Sequence, residues 1–434
     1  MPQFDTPQMA LLVNRLVAVL HEPIGIREYL LWSTAAIPLM FLMVAHAGAD
    51  IMLGYPFILL NSAALLFLNQ LQVHRNHLVA IAALGAFSLV SGHFAGTPVN
   101  APFSQIVGIS VISIYFLSAL ATLGPSVQRW MDMYARIAFG VACFGIVKWP
   151  IERLLHIGYD GRLTSFYAEP SNFVYTTLPA LGYFINCYVQ ERRYGPEAAI
   201  FILSYLLADS SLGFLGLVLI GILTFGRRLK GWHALVGMAA IGAVLAGLFF
   251  GSANVRLRVQ DMALALSTQD VSKANGTTFA LLSNLYVATK VFLDHPLTGV
   301  GLGGYSYVYD NYIFDLTGIK STYSGNIDLN KADANSLFLR TAAELGIPGL
   351  AALFGFLIAC ARVKGRSYER IRNALLPYLI VRMWRYGAYF SVELYFFAGL
   401  YLLNYLGYRR AVTAKPPAAV GGRAALVSDS PLAH

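Results

Sequence analysis

The sequence predicts an all-α polytopic membrane protein with about 12 transmembrane helices and one large outer loop that contains short helices. Composition is the first observation behind this prediction. Of 434 residues, 57% are hydrophobic and only 12% are charged, and the mean hydropathy is +0.59. The second observation is that apolar runs long enough to cross a bilayer as helices recur along the chain. These features exclude a water-soluble globular protein.

The apolar runs define the individual spans. One run, residues 196–225, has basic residues at both ends, and two basic flanks require an even number of crossings. We therefore divide it into two short helices, with a polar turn at residues 209–211 on the outer side. The predicted spans are 29–47, 51–69, 77–95, 105–123, 132–149, 173–190, 197–209, 211–226, 232–250, 336–360, 373–386 and 388–407.

The positions of lysine and arginine orient the chain. Turns near Ala49 and residues 96–102 carry neither residue type. Basic loops stay in the cytoplasm, so both termini are cytoplasmic and the 150–172 and 251–335 loops share the outer face. The net charge of +9 follows from this bias, which makes the lipid bilayer a predicted partner and excludes nucleic acid. The basic loop residues are Arg75, Arg129, Arg192, Arg193, Arg227, Arg228, Lys230, Arg362, Lys364, Arg366, Arg370 and Arg372.

These assignments divide the chain into five segments. Residues 1–28 form a cytoplasmic N-terminal interfacial segment, and 29–250 carry transmembrane helices 1–9. Residues 251–335 form the large outer loop, 336–407 carry helices 10–12, and 408–434 form a disordered cytoplasmic tail. The three cysteines lie far apart in or beside apolar runs without the spacing of metal ligands, so no metal site or cofactor is predicted. They are Cys143, Cys187 and Cys360.

The 150–172 loop offers a candidate catalytic carboxylate. Glu169 precedes Pro170, and the sixth span begins within a few residues, which places the carboxylate near the rim of the membrane. The reduced dielectric there suits it to proton transfer. The residues alone leave an alternative open, because an acidic group also favours a helix N-terminus and Glu169 could simply cap the next helix.

Several basic side chains on the predicted outer side suit a phosphate or a diphosphate. Guanidinium groups bind the oxygens of such groups in a bidentate manner, so a group of arginines near the interface is more informative than one alone. These basic residues are Arg153, Arg162, Arg256, Arg258, Lys273, Lys290 and Arg340.

Ion pairs within the membrane are the alternative for some of these charges. Arg340 and Glu344 stand four residues apart on one predicted helix, where an intrahelical pair is expected. In the last span, Glu393 is interpreted as the buried partner of Arg382 or Arg385, because an ionisable group in a bilayer needs a partner.

The large outer loop has two patterns of its own. Residues 277–293 place their apolar side chains on roughly one helical face, which predicts a helix along the membrane surface. Glycines at 299, 301, 303 and 304 then permit a tight backbone path. No Rossmann or P-loop pattern surrounds them, so a nucleotide-binding loop is not indicated. Between these patterns, His295 is either a turn residue or an acid–base group.

Three motifs resemble the O-antigen polymerase and O-antigen ligase superfamily. The run DHPLTGVGLGGY at 294–305, followed by NSLFLRTAAELGIPGL at 335–350, is similar to the core block of the family. RLTSFYAEPSNF at 162–173 is similar to the segment before the sixth span of many polymerases, and DSSLGFLGL at 209–217 resembles their next span start. Ligases usually carry histidine before the asparagine that opens the tenth span. Here residues 332–334 read ADA before Asn335, which favours the polymerase branch.

The resemblance implies an integral glycosyltransferase of the bacterial inner membrane that acts at the periplasmic face. Its implied partners are undecaprenyl-diphosphate-linked oligosaccharides, as donor and acceptor, and a chain-length regulator. A sugar hydroxyl would attack the growing chain and release polyprenyl diphosphate, with Glu169 as the base and arginines in place of a metal. The implied catalytic residues are Glu169, Arg162 and Arg340. The implied substrate-binding residues are Arg153, Arg256, Arg258, Lys290, His295, Asn335 and Glu344.

Two other functions stay open. One is an O-antigen ligase, which transfers a lipid-linked glycan to a lipid A core. The other is a membrane transporter, which is typically built from inverted repeats with polar residues at the bilayer midplane. In this chain the charges concentrate near the outer rim instead, which disfavours the transporter.

Overall fold

The structure is a computed structural model that describes residues 25–40, 42–46, 50–124, 126–156, 161–226, 250, 253–268, 271, 274–316 and 327–414. The predicted span 232–250, except for Phe250, lies outside these residues. The same holds for residues 1–24 of the predicted interfacial segment and residues 415–434 of the predicted tail.

The described residues form fourteen α-helices and one short hairpin. The hairpin pairs strands β1 (Met43–His46) and β2 (Asp50–Met52) in an antiparallel manner. The helices are α1 (Ile26–Ala35), α2 (Gly54–Phe67), α3 (Arg75–Phe94), α4 (Asn100–Thr122), α5 (Val127–Leu154), α6 (Pro170–Glu191), α7 (Gly195–Ala208), α8 (Ser211–Phe225), α9 (Ala253–Thr268), α10 (Gly276–Asp294), α11 (Tyr305–Ile313), α12 (Leu337–Ala361), α13 (Arg366–Trp384) and α14 (Val392–Thr413).

The helices have the length and surface of a membrane protein. Of those described, α3, α4, α5 and α12 are long and apolar enough to cross a bilayer, while α2, α7 and α8 are apolar but shorter. Large apolar side chains also point outward, as at Phe67 and Phe94, which are 85% and 78% exposed. Such a surface is stable against lipid but costly against water. The chain is therefore a helical membrane protein.

The first predicted span is wrong as a continuous helix. Helix α1 ends at Ala35, a 3₁₀ turn follows at Ile37–Leu39, and strand β1 begins at Met43. Pro38 lies at the start of the 3₁₀ turn. A proline cannot donate the backbone hydrogen bond that would continue α1, and its ring clashes with the preceding turn. Hydropathy alone does not register this interruption.

The predicted division of residues 196–225 is confirmed. Helix α7 ends at Ala208 and α8 begins at Ser211. Asp209 between them has a φ of 42°, in the left-handed region. Both helices pack against α6, which also packs along α13. At that contact Gly182 is needed, because a Cβ there would lie 2.9 Å from the Cα atom of Ala374.

Loops predicted to share a side of the membrane contact each other. On the predicted cytoplasmic side, Arg370 forms an ion pair with Glu191. On the predicted outer side, Thr97 Oγ1 donates to the carbonyl of Val300 at 2.8 Å. The Leu163 amide likewise donates to the carbonyl of Leu207, at 3.0 Å. The structure thus joins the 150–172 loop to the end of α7, and the turn at residues 96–102 to the 251–335 region.

The glycine-rich turn at 299–304 packs against a break in α12. Gly346 has a φ of 62°, which interrupts the helix and leaves nearby carbonyls without their helical partners. Residues of the turn replace those partners. The amides of Val300 and Gly301 donate to the carbonyls of Ala343 and Glu344 at 3.0 and 2.9 Å. The tight path predicted for the glycines is confirmed, and it allows close backbone packing between the glycine-rich turn and the break in α12.

Replacing Gly301 with Ala is expected to lower the free energy of unfolding by about 2–5 kcal/mol. The alanine would have to adopt a left-handed backbone conformation, and its Cβ would also overpack the contact. Gly301 has a φ of 77°, and a Cβ there would lie 2.5 Å from the Ser88 carbonyl oxygen. Thermal denaturation of the detergent-purified protein measures the loss. The control is Gly355→Ala in α12, where a Cβ would meet nothing within 4 Å. Equal melting temperatures for the two variants would contradict the packing role.

Candidate active site

Glu169 lies at the N-terminus of α6 but its carboxylate does not cap the helix. The residue occupies the N-cap position, and its side chain accepts no hydrogen bond from the first helical amides. Instead, Oε2 accepts a hydrogen bond of 2.9 Å from the Ser171 hydroxyl. The side chain is exposed. The carboxylate is therefore accessible, as a group that takes up a proton from a substrate must be.

Two cavities meet at Glu169. Glu169, Thr277 and Arg385 line both of them. The first, here called the Arg162 cavity, has a volume of about 290 Å³, and Arg162, Ser210, Ser211, Val259, Met262 and Trp384 also line it. The second, here called the Asn330 cavity, has a volume of about 490 Å³, and Leu257, Asn275, Gly276, Ala280, Leu329 and Asn330 complete it. Together they form the Glu169 cleft.

Three helices begin at this cleft. Helices α6, α8 and α10 have Glu169, Ser210 and Asn275 as their N-cap residues, and all three residues line the cleft. The Asn275 side chain accepts hydrogen bonds of 3.0 Å from the amides of Thr277 and Thr278. Helix N-termini carry partial positive charge. With Arg162 and Arg385 beside them, they give the cleft the electrostatic character of an anion site.

Arg162 is positioned by a tightly anchored segment. The next residue, Leu163, is held to the end of α7 by its amide, and the Ser165 hydroxyl donates to the Val141 carbonyl at 2.7 Å. The Tyr167 hydroxyl donates to the Pro38 carbonyl, also at 2.7 Å. These contacts attach residues 162–169 to α5, α7 and the turn after α1. The segment therefore presents Arg162 and Glu169 from a rigid support.

Arg385 is a charged residue of the cleft for which the sequence predicted only an ion pair with Glu393 as an alternative to Arg382. The predicted buried ion pair of Glu393 is confirmed with Arg382, at 3.0 Å and with both side chains only 2% exposed. Arg382 also donates to the Ser391 hydroxyl at 2.7 Å, and Tyr386 donates to Asn172 at 2.7 Å. These contacts fasten the α13–α14 connection to α6 and leave Arg385 lining both cavities.

Arg340 and Glu344 form an intrahelical ion pair, which the sequence offered as the alternative to a diphosphate-binding role for Arg340. Arg340 Nε lies 3.1 Å from Glu344 Oε1, and both side chains are buried. The guanidinium also stacks over the Tyr389 ring at 4.6 Å and donates to the Gly387 carbonyl at 3.2 Å. Neither residue lines the Glu169 cleft. Arg340 instead supports the segment that follows Arg385.

Asn335 does not line the cleft, but it contacts a residue that does. Its side-chain oxygen accepts a hydrogen bond of 2.8 Å from Asn330, which does line the Asn330 cavity. Beside them, Lys331 ties this turn to α11. Burial alone would lower the pKa of Lys331, but its hydrogen bonds with Asp310 and Asp328 raise the pKa. The Lys331 charge therefore holds the turn in place.

The other predicted binding residues are not brought into the lining of the two cavities. Lys290 lies in α10, about 20 Å along the helix from its start at the cleft, and its ammonium group faces Tyr286. His295 ends the same helix, and Arg153 lies over the Trp149 ring at 5.3 Å. Arg256 in α9 precedes the cleft residue Leu257. The side chain of Arg258 lies outside the described part of the structure.

Comparison with known proteins gives one match. Residues 198–354 match a family model described as O-antigen ligase. The matched region contains α8–α11, the glycine-rich turn and the broken part of α12, and it supplies Ser210, Asn275 and Asn330 to the cleft. Glu169, Arg162 and Arg385 lie outside it. No match to a curated protein is found.

In the described residues, no group of three acidic, histidine or cysteine side chains is placed to hold a metal ion.

Proposed function

We propose that this chain, whose residues 198–354 match the O-antigen ligase family model, is a glycosyltransferase of the O-antigen ligase and polymerase superfamily that polymerises polyprenyl-diphosphate-linked oligosaccharides. The observation that carries the proposal is the Glu169 cleft, which combines an accessible carboxylate with Arg162, Arg385 and three helix N-termini. A carboxylate suits a general base, and the positive groups suit a diphosphate leaving group.

The proposed reaction uses these groups in one displacement. The oxygen of a sugar hydroxyl on the acceptor forms a bond with the anomeric carbon of the donor. The bond from that carbon to the diphosphate oxygen breaks, and the diphosphate leaves with the electron pair. Glu169 takes the hydroxyl proton, while Arg162 and Arg385 neutralise the negative charge that develops on the leaving group. In this mechanism Arg385 takes the role that the sequence resemblance gave to Arg340.

The proposed setting is the bacterial inner membrane, with twelve spans and the Glu169 cleft facing the periplasm. Support comes from the contacts among the predicted outer loops, since the 150–172 loop, the turn after α7 and the 251–335 region all contribute to the cleft. The loops rich in lysine and arginine, by contrast, do not line the cleft, and they are predicted to face the cytoplasm. The substrates would then be undecaprenyl-diphosphate-linked oligosaccharides, and a chain-length regulator would be a further partner.

The polymerase is favoured over the ligase by the residues before Asn335. Asp333 stands there without a neighbouring histidine, and its carboxylate accepts hydrogen bonds from the amides of Gly387 and Asn335, at 3.1 and 3.0 Å. That position therefore connects two backbone segments and offers no imidazole for ligase chemistry. The O-antigen ligase is kept as the second candidate because the matching family model carries that description.

Reconstitution tests the proposal. The purified protein in vesicles, supplied with the lipid-linked oligosaccharide pool of its host, is expected to yield a ladder of longer lipid-linked chains without lipid A core. Gel analysis of the labelled glycan measures the ladder. A parallel reaction contains lipid A core. Transfer that occurs only in that reaction would identify the protein as a ligase. No transfer in either reaction would overturn the proposed glycosyltransferase activity.

A further inference from the structure

We propose that the two cavities are separate subsites, with the lipid-linked diphosphate donor in the Arg162 cavity and the acceptor saccharide in the Asn330 cavity. This assignment rests on the proposed function and adds which ligand occupies which side of Glu169. Among the described residues that line either cavity, Glu169 is the one carboxylate. A base placed between two subsites can reach an acceptor hydroxyl on one side while the bond to the leaving group breaks on the other.

The lining of the Arg162 cavity suits a diphosphate attached to a hydrocarbon chain. Arg162 and the N-terminus of α8 at Ser211 supply positive charge. Apolar side chains lie beside them, at Val259, Met262 and Trp384. A polyprenyl diphosphate has the same division into a charged head and an apolar tail, so its leaving group fits this side.

The lining of the Asn330 cavity suits sugar hydroxyls. Asn275, Asn330 and Thr277 line it, and amide and hydroxyl side chains both donate and accept hydrogen bonds. Arg162 is not part of this lining, and the two charged side chains of the lining, Glu169 and Arg385, are opposite in sign and are shared with the Arg162 cavity. At about 490 Å³ the cavity falls within the volume range of small-molecule sites. A neutral saccharide is the ligand that these features favour.

Helix α9 offers a matched pair of variants. Leu257 lines only the Asn330 cavity and Val259 lines only the Arg162 cavity. They stand two residues apart, and their exposed fractions are similar, at 59% and 50%. Leu257→Trp and Val259→Trp therefore each fill one cavity with the same side chain, at sites where a larger residue meets solvent or lipid rather than packed core.

Two measurements separate the subsites. The first is equilibrium binding of radiolabelled undecaprenyl diphosphate, where Val259→Trp is expected to weaken binding by about 10-fold and Leu257→Trp to leave it within about 2-fold. The second is transfer from the host lipid-linked pool to a fluorescent, lipid-free repeat-unit oligosaccharide. There, Leu257→Trp is expected to raise the KM for the oligosaccharide by about 10-fold.

The outcomes distinguish this assignment from the proposed function. Wild-type protein that forms no polymer overturns both. An active wild type in which Leu257→Trp weakens undecaprenyl diphosphate binding as much as Val259→Trp overturns the assignment alone. If Leu257→Trp does not fold, Asn330→Gly replaces it, because glycine accepts the φ of 59° at that position. Asn330→Gly is expected to raise the KM for the oligosaccharide and to leave undecaprenyl diphosphate binding unchanged.

Discussion

Replacing Glu169 with Gln is expected to reduce the rate of chain lengthening by about 10²- to 10⁴-fold, the usual contribution of a general base. Glutamine has the same shape and can still accept the hydrogen bond from Ser171. It cannot take up the proton of the attacking hydroxyl, so the loss would report proton transfer rather than a change in packing. The variant is also expected to fold normally, because the Glu169 side chain is exposed.

The measurement compares the initial rate of polymer formation by equal amounts of purified wild type and variant in vesicles. Glu152→Gln is the matched control. Glu152 pairs with Lys148 at 2.9 Å on α5 and does not line the Glu169 cleft, so its loss is expected to change the rate by no more than about 2-fold. Wild-type chain lengths in Glu169→Gln at equal protein levels would remove Glu169 from the mechanism.

Local patterns in the sequence predicted the elements that depend on local physics. The helical periodicity of residues 277–293 corresponds to α10 at Gly276–Asp294, and the spacing of Arg340 and Glu344 corresponds to their ion pair. The basic residues at both ends of residues 196–225, which require an even number of crossings, located the break between α7 and α8. Each of these patterns lies within one continuous segment of the chain, so no contact between distant segments is needed to recognise it.

What the sequence did not predict depends on contacts between distant segments. Arg382 and Arg385 were equally plausible partners for Glu393, because sequence spacing cannot tell which side chain points inward. The choice is made by Ser391 and by the contact of Tyr386 with Asn172, more than 200 residues away in sequence. The same contacts expose Arg385 to the cleft, so a residue predicted to be structural becomes the candidate ligand of the diphosphate.

The family motifs also have a different role from the one expected. The resemblance implied substrate-binding roles for residues of these motifs, such as His295 and Asn335, but the linings of the two cavities contain neither the glycine-rich turn nor the start of α12. Their backbones pair with each other instead, through Val300 and Gly301. Glycine is required there by a positive φ and close backbone approach, which a motif shows only as a preference for glycine. The motif thus marks a scaffold, and the chemistry is assigned to residues beside it.

Replacing Arg385 with Ala is expected to slow chain lengthening by about 10²- to 10³-fold, the typical loss when one group that stabilises transition-state charge is removed. Arg385→Lys is expected to recover part of that rate, since lysine keeps the charge but not the bidentate geometry that suits phosphate oxygens. Arg385 lies at the end of α13 and is half-buried. The support of its segment comes from Arg382 and Arg340, so truncation at 385 leaves that support intact.

The control for Arg385→Ala is Arg153→Ala. Arg153 belongs to the same predicted outer face, but it is exposed over Trp149 and lines neither cavity. Its removal is expected to change the rate by no more than about 2-fold, as for other exposed charges. Undecaprenyl diphosphate binding is measured in parallel, and only Arg385→Ala should weaken it. The reverse result, with Arg153→Ala impaired and Arg385→Ala normal, would move the diphosphate out of the Glu169 cleft and towards the end of α5.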